Sequence, residues 1–421
     1  MQHGVVRTAL VALIATAAVV LASCSAVTGD KTTTRATGPA TPAASTTAPT
    51  SAEPAAFTPV VGSVVAQPVA VPATDGKTHL AYELELTNML GQDVTLTSVA
   101  AVTDDRTLLT LSGDQLTHWT RAVGRPDSPT AKLGAGQSAL VWIDIPLEQS
   151  GSADLPTDIF HSVSVAASKP SPPLLPATVT ERLAPTTVQQ RQPIAISPPL
   201  FGRDWLDGNS CCAMTPHRMA VNPLNGGLWA AERFAIDYVQ LQPDGRLVTG
   251  DPEKLGSYPY YGHEIHAVSD GPVVAAVDRL PDQVPGADPA GLRLDEYGGN
   301  YIVQDIGGGN YAFYAHLKPG SVRVKAGEAL TTGQVIGALG NSGNSSAPHL
   351  HFHVMSTPDP LRADGLPFVL TRFQLTNRLA DMATLDQIQV GEPARMQAGF
   401  QPSAQSDVSP LVLDVMTYGN P

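Results

Sequence analysis

Three histidines occupy alternate positions in the segment PHLHFHV, which spans residues 348–354. Successive side chains of a β-strand point to opposite faces, so His349, His351 and His353 would share one face and the apolar residues between them the other. Neutral imidazole is a common zinc ligand and it titrates near physiological pH. The segment therefore indicates a metal or acid–base site, or else a strand edge with its polar residues exposed.

Further motifs precede this strand in a fixed order: Tyr-x-His-Leu at 314–317, Val-x-x-Gly at 324–327 and Gly-Asn-Ser-Gly at 340–343. With the His-x-His pair at 349–351, they closely resemble the core of the lysostaphin/LytM-type zinc metallopeptidases. That family acts mostly as endopeptidases on peptidoglycan cross-links. The resemblance covers about residues 267–354, and chance assembly of all four motifs is far rarer than that of any one.

The resemblance implies a role for each of four residues and Zn²⁺ as the cofactor. His351, the second histidine of the pair, and Asp237, in the segment AERFAIDYV, match two zinc ligands of the family. His316 and His349 match the histidines that lie beside the metal and assist the attacking water. A catalytic zinc with three protein ligands keeps one position for that water and lowers its pKa to about 7. His353 matches no family role, and we expect it at the surface or just behind the ligands.

Arg233 departs from the family pattern, which has a ligand histidine four residues before the aspartate. Arginine stays protonated and offers no lone pair to a cation, so a third ligand is needed or the site is degenerate. We expect His217, in the segment preceding Asp237, to substitute. Arg233 would then pair with a substrate carboxylate or form a surface salt bridge. The other candidates for the third ligand are His263, His266, Cys211 and Cys212.

The adjacent residues Cys211 and Cys212 cannot form an ordinary disulfide without strain, and two thiols do not make a disulfide framework. A strained vicinal bond is one alternative. We expect instead that both are small buried residues.

The N-terminus indicates export. Residues 1–24 combine a basic start, an apolar run too short for a comfortable membrane span, and a lipobox-like ending, LASC. We expect lipidation at Cys24, which would anchor the protein to the outer face of the cell membrane, facing the cell wall. A plain cleaved signal peptide is the alternative. Residues 25–57 are rich in Thr, Ala, Pro and Ser and predict a disordered stalk.

The remaining chain predicts an all-β fold with two domains. Residues 58–185 alternate at strand period between turn signals, which favours an antiparallel β-sandwich. Residues 190–421 would form a lysostaphin-type antiparallel sheet domain with its core at 233–354, and the segment FVLTRFQLTNRL at 368–379 could be a last strand. We expect the sandwich to position the enzyme or face the wall. The net charge of −13 argues against nucleic-acid binding.

These observations favour a zinc metalloendopeptidase that acts on peptidoglycan cross-link peptides, with the membrane contacted only through the lipid. The alternative is a degenerate, non-catalytic relative that binds cell wall or activates a partner hydrolase. A lipoyl- or biotinyl-like carrier is a distant third, because no suitable acceptor lysine follows the glycine-turned segment at 324–339.

Overall fold

The computed structural model describes residues 55–104, 106–148 and 155–419. The predicted signal peptide, Cys24 and residues 25–54 of the predicted stalk lie outside these ranges. Within them, no helix combines the length and the apolar character needed to cross a bilayer.

The first part of the described chain forms two antiparallel sheets, which we call the N-terminal sandwich. Its elements are β1 (Val60–Val64), β2 (Ala70–Pro72), β3 (Lys77–Asn88), β4 (Val94–Val102), β5 (Thr107–Ser112), α1 (Gly113–His118), β6 (Thr120–Ala122), β7 (Lys132–Leu133), β8 (Ser138–Glu148), β9 (Asp158–Ala167) and β10 (Thr178–Thr187). One sheet has the order β1-β3-β8-β6, with β2 beside β3. The other has the order β10-β9-β4-β5, with β7 beside β4.

Apolar residues at alternate positions of the strands form the core between these two sheets. Leu80, Tyr82 and Leu84 of β3 point inward and are fully buried, as are Val99 of β4 and Val163 of β9. Apolar residues at every second position place one face of each strand in this core. The predicted all-β class is confirmed, and the domain boundaries stay predictions.

The rest of the chain is also mostly strands. Its elements are β11 (Ile194–Ile196), β12 (Gly202–Gly208), α2 (Pro216–Met219), β13 (Asn222–Leu224), β14 (Gly227–Trp229), β15 (Ile236–Gln240), β16 (Glu264–His266), β17 (Gly271–Val277), β18 (Asn300–Gly307), β19 (Asn310–Leu317), β20 (Ala329–Leu330), β21 (Val335–Ala338), β22 (Leu350–Met355), β23 (Gly365–Leu366), β24 (Phe368–Leu370), β25 (Phe373–Arg378), α3 (Ala383–Gln389), β26 (Ser403–Gln405) and β27 (Asp414–Tyr418), with 3-10 turns at Leu255–Ser257 and Leu294–Glu296.

A large antiparallel sheet dominates this part, in the order β20-β17-β18-β19-β22-β15-β12-β27-β25-β26. The histidine strand β22 lies in its middle, between β19 and β15. His351 is directly opposite Asp237 on β15 and Ala315 on β19, and His353 is opposite Phe313. Side chains directly opposite one another are close enough to interact, so the register alone brings His351 and Asp237 together.

The segment at 368–379 contains two strands, β24 and β25, rather than the single last strand that the sequence suggested. The chain continues through β26 and β27, and β27 pairs with both β12 and β25. The C-terminal tail therefore belongs to the large sheet. Its apolar residues, including Val415 and Met416, are buried in the same core as the site-bearing strands.

Cys211 and Cys212 form a disulfide with each other, so our expectation of two free buried thiols is wrong. Both residues are buried, as expected. They pack with Val71 and Ala81 of the N-terminal sandwich and with Phe234 of the second part, in an apolar cluster at the contact between the two parts.

Glu181 gives the N-terminal sandwich a pH-dependent stability. It is 8% exposed, and its Oε1 accepts a hydrogen bond from the Val60 amide at 3.1 Å. Its Oε2 is buried with no partner among the described residues. Burial raises the pKa of Glu181 from 4.5 to about 7, and the hydrogen bond from Val60 only partly opposes this.

A carboxyl group whose pKa is raised by folding stabilises the fold below the unfolded pKa and loses that effect as pH rises through the folded pKa. We therefore expect the free energy of unfolding, measured by urea titration, to fall between pH 4.5 and pH 8. Glu181→Gln should remove about 3 kcal/mol of this fall, because the amide does not ionise. Equal pH dependence in the two proteins would contradict the prediction.

Candidate metal centre

The Asp237 carboxylate is the centre of the site. Its Oδ1 lies 3.3 Å from Nε2 of His349 and 3.1 Å from Nδ1 of His351. Its Oδ2 lies 3.3 Å from Nε2 of His217 and accepts a hydrogen bond from the Asn209 side chain at 2.9 Å. One partly buried carboxylate thus faces three imidazole nitrogens, which is a donor set that suits a divalent metal ion.

His217 reaches the site from the short helix α2. Thr215 caps this helix by accepting a hydrogen bond from the Arg218 amide, and Pro216 occupies its first turn, where a missing N–H costs nothing. Nδ1 of His217 lies 3.0 Å from the Ala235 carbonyl. A carbonyl can only accept, so Nδ1 carries the proton and Nε2 is the nitrogen directed at Asp237.

His353 is 1% exposed and lies behind His351, so of the two expected places the surface is wrong and the place behind the ligands is the one observed. Nδ1 of His353 is 3.0 Å from Nε2 of His351. Burial, and the neighbouring His351 and His217, lower the pKa of His353 well below its usual value, so its ring is neutral. If His353 Nδ1 accepts from His351 Nε2, then His351 Nδ1 is the nitrogen left to face Asp237.

In that tautomer the lone pair of His351 Nδ1 faces Asp237 Oδ1 at 3.1 Å, and two acceptor atoms at this distance need a proton or a cation between them. Burial raises the pKa of Asp237, but the charges of His217 and His349 outweigh it and hold that pKa well below the usual range. Burial lowers the pKa of His217, but Asp237 raises it overall to about 9. The residues therefore fit a metal cation, which would take the place of these protons.

His316 and His349 lie on the other side of His351. The ring centres of His316 and His349 are 4.7 Å apart, and those of His316 and His351 are 5.7 Å apart. Nδ1 of His316 donates to the Ser342 carbonyl at 2.8 Å, and Nδ1 of His349 donates to the Ala347 carbonyl at 2.8 Å. Both rings therefore direct Nε2 into the site.

The pKa values of the His316 and His349 rings are shifted in opposite directions. Burial and the neighbouring histidines lower the pKa of His316 well below its usual value. Burial also lowers the pKa of His349, but the Asp237 carboxylate outweighs this and raises it. Two neighbouring imidazoles whose pKa values are shifted in opposite directions are an arrangement that general acid–base catalysis can use.

The Gly-Asn-Ser-Gly loop brings the Ser342 carbonyl to His316 only because of two glycines. Gly299 and Gly343 both have left-handed backbones, with φ of +66° and +76°. A Cβ on Gly343 would lie 2.2 Å from the Gly299 nitrogen, and a Cβ on Gly299 would lie 2.3 Å from the Ser342 oxygen. These positions need glycine for both space and conformation.

Arg233 does not take part in this site. It is 3% exposed, and its guanidinium binds the Glu83 carboxylate of β3 in the N-terminal sandwich. Both expectations for Arg233, a substrate contact and a surface salt bridge, are therefore wrong. A buried cation of this kind needs a buried anion beside it, and no feature of the sequence indicated that Glu83 would supply it.

The other candidates for a third ligand lie elsewhere. Nε2 of His263 faces the Phe201 carbonyl, and Nδ1 of His266 faces the Gly333 carbonyl, as expected for a satisfied core histidine. Cys211 and Cys212 are joined to each other and have no free thiolate. Of the candidates, the structure brings only His217 to Asp237 and His351, with ligand atoms within 4.8 Å of one another.

A cleft of about 810 Å³ opens above these residues. His217, Asp237, His316, His349, His351 and His353 all line it, and its walls are formed by Leu224, Asn225, Glu232, Leu294, Asp295, Tyr297, Tyr301, Phe313 and the loop at 358–362. The walls combine apolar and aromatic side chains with charged ones, and a concave surface with convergent polar groups is typical of a ligand-binding site.

Sequence reasoning missed Asn209, which donates to Asp237, and the orienting contact from His353 to His351. The period-2 spacing placed His353 on the same face as His351, and that signal could have indicated a contact. Asn209 had no comparable signal, because its contact depends on the pairing of Gly208 with Asp237 across β12 and β15.

Residues 258–363 match the model of peptidase family M23. The match includes His316, His349 and His351. Asp237 and His217 precede residue 258 and lie outside it. Peptidoglycan DD-endopeptidase ShyA of Vibrio cholerae is 37% identical over 71 residues, which is 17% of this chain and 16% of that protein. Glycyl-glycine endopeptidase ALE-1 of Staphylococcus capitis is 34% identical over 111 residues, 26% of each chain.

The chain thus spans about a quarter or less of these relatives. Among solved structures, a mutant catalytic domain of the prophage-encoded M23 protein EnpA from Enterococcus faecalis is 18% identical. The likeness covers 40% of this chain and 92% of that one, with a TM-score of 0.24.

We expect Gly343→Ala to lower the free energy of unfolding by at least about 2 kcal/mol, because the new Cβ adds a clash with Gly299 to the left-handed strain. Gly320→Ala is the matched control. Gly320 has a φ of +73°, but a Cβ added there would meet no atom within 4 Å, so only the conformational cost of about 1 kcal/mol remains. Chemical unfolding of the two variants measures the difference, and equal losses would contradict the close approach.

Proposed function

Because residues 258–363 form a domain of peptidase family M23, we propose that this protein is a zinc metalloendopeptidase that cleaves cross-link peptides of peptidoglycan. The observation that carries the proposal is the convergence of His217, His349 and His351 on the Asp237 carboxylate at the floor of an open cleft. The names of the two curated relatives support a peptidoglycan substrate and a peptide bond as the target.

In this proposal, Nε2 of His217, a carboxylate oxygen of Asp237 and Nδ1 of His351 hold the zinc ion. Each of these three ligands is oriented by a hydrogen bond to a residue outside the ligand set. His217 bonds to the Ala235 carbonyl, Asp237 to the Asn209 side chain, and His351 to His353. Such outer contacts fix the tautomer and direction of a ligand. When bound, zinc would polarise the scissile carbonyl and acidify a water molecule.

The remaining two histidines move protons and bind charge. His316 is neutral and directs Nε2 into the cleft, so it accepts a proton from the attacking water at that atom and passes it to the leaving amine. His349 directs its Nε2 to the same point and donates a hydrogen bond to the carbonyl oxygen as negative charge develops there. The carbonyls of Ser342 and Ala347 keep each Nδ1 protonated and so keep each Nε2 available.

The proposal includes an envelope location. A lipid on Cys24 and a polar stalk at 25–57 would place the folded part beyond the outer face of the cell membrane, where peptidoglycan lies. The lipobox-like LASC and the Thr, Ala, Pro and Ser composition of the stalk support this part.

A second candidate function is a non-catalytic member of the family that binds cell wall or activates a partner hydrolase. The observation that favours it is Arg233, which stands at the usual position of the first ligand and turns away from the site to Glu83. The two candidates differ in whether the site retains metal.

We expect about one zinc per chain in the purified protein by elemental analysis. His351→Ala and His217→Ala should each lose most of it, because two ligands alone hold zinc weakly. His263→Ala is the control, since this histidine bonds to the Phe201 carbonyl away from the site, and it should keep its zinc. If His217→Ala retained full zinc, His217 would not be the third ligand. No zinc in the wild-type protein, even after incubation with excess metal, would favour the non-catalytic candidate.

We expect His316→Ala to keep its zinc but to release peptides from purified cell walls at least about 100-fold more slowly, because a general base contributes that much to the rate. The readout is new amino groups per unit time, measured beside zinc content in the same sample. An unchanged rate would remove His316 from the proposed mechanism.

A further inference from the structure

We propose that Glu83 of the N-terminal sandwich is a positioning residue for the metal centre, because it fixes the segment that carries the substitute ligand His217. The inference rests on the proposed function, in which His217 binds the metal. It assigns to the sandwich a part in building the site, beyond positioning the enzyme or facing the wall.

Glu83 lies on the face of β3 that points away from the sandwich core, opposite Trp142 of β8. It is 0% exposed, because the second part of the chain covers this face. Nε of Arg233 donates to both carboxylate oxygens at 2.9 Å, and Nη1 of Arg218 donates to Oε1 at 3.2 Å. One carboxylate therefore holds two arginines of the second part.

Arg218 is the residue next to His217. The sandwich binds it at three points: the Glu83 carboxylate, the Ile143 carbonyl, which accepts from Nη2 at 3.1 Å, and the Trp142 indole, whose Nε1 donates to the Arg218 carbonyl at 2.6 Å. Side chain and backbone of Arg218 are both fixed. Since the adjacent His217 lies on the same short helix, its direction towards Asp237 is fixed with them.

The burial of Arg218 and Arg233 makes the position of His217 depend strongly on the charge of Glu83. Arg218 and Arg233 are 1% and 3% exposed, so neither can turn to water without moving its backbone. Removing one partner from a buried ion cluster leaves an uncompensated charge, which is far more costly than losing an exposed pair. The least costly relief is a shift of the 209–219 segment, and that shift would carry His217 away from Asp237.

The position of Arg233 also supports a positioning role for Glu83. In the proposed function Arg233 stands where the family has its first ligand, and here it binds Glu83 instead. The carboxylate that occupies Arg233 also anchors the helix that supplies the replacement ligand. The metal centre is therefore complete only while the N-terminal sandwich is docked against the second part.

The test is the zinc dissociation constant of the full purified chain, measured by competition with a chromophoric chelator at about pH 7.5. Glu83→Gln should raise it at least about tenfold, as expected for loss of a contact that orients a ligand. Glu181→Gln is the matched control, because Glu181 is a buried carboxylate of the same sandwich whose contact with Val60 lies within it, and its constant should be unchanged. A Glu83→Gln protein that folds and binds zinc within about twofold of wild type would overturn the proposal.

Trp142→Phe keeps the cluster charges but removes the hydrogen bond to the Arg218 carbonyl, so it decides the question if Glu83→Gln does not fold. It should raise the dissociation constant about threefold or more, whereas Trp119→Phe, a half-buried tryptophan packed on the sandwich core, should not change it. Equal constants for the two tryptophan variants would count against the positioning role.

Amide hydrogen exchange of the metal-free chain separates this proposal from the proposed function. Glu83→Gln should speed exchange at least about fivefold in residues 209–219 while leaving β19 and β22 at wild-type rates. A wild-type chain without zinc would refute the proposed function, and exchange would still report whether Glu83 holds the His217 segment. Equal exchange at 209–219 in mutant and wild type would overturn the positioning role.

Discussion

The partly buried negative charge of Asp237 is the constraint around which the site is organised. A carboxylate in a protein interior needs partners that supply positive charge or hydrogen-bond donors. Here three imidazoles and one amide meet that need. Each segment that carries them must be placed by its own part of the fold: β15 and β22 by strand register, Asn209 by β12, and His217 by a short capped helix.

A second carboxylate, Glu83, is fully buried and organises the contact between the N-terminal sandwich and the rest of the chain. Arg233 and Asp237 are four residues apart, and the family resemblance implies two ligands of one metal at this spacing. Here the two residues serve different charge clusters, Arg233 the interface and Asp237 the site. In the proposed function, arginine at this position is compatible with a full set of metal ligands because another segment contributes His217.

The histidines beside the ligands show how backbone groups set side-chain chemistry. Carbonyl groups accept from Nδ1 of His217, His316 and His349, so each of these rings presents Nε2 to the cleft. For His316 this requires the Ser342 carbonyl, and that carbonyl is in place only because Gly299 and Gly343 permit a close approach. The glycine-rich loop therefore contributes to the site by fixing the tautomer of His316 through a backbone carbonyl rather than through a side chain of its own.

The sequence by itself determined the all-β class and the shared face of His349, His351 and His353, and through a family resemblance it determined the candidate roles of His316 and Asp237. These follow from local pattern, because the two-residue period of a strand decides which side chains share a face.

The sequence did not determine what covers each face. The alternation along β3 predicts that Glu83 faces solvent on the side away from the sandwich core. Only docking of the second part of the chain buries it. The Arg233 contact, the approach of His217 and the pairing of the C-terminal strands all join residues far apart in the chain or depend on such docking. Tertiary structure decided them because burial and charge pairing are properties of the surfaces that meet, and a single strand or loop specifies only one of those surfaces.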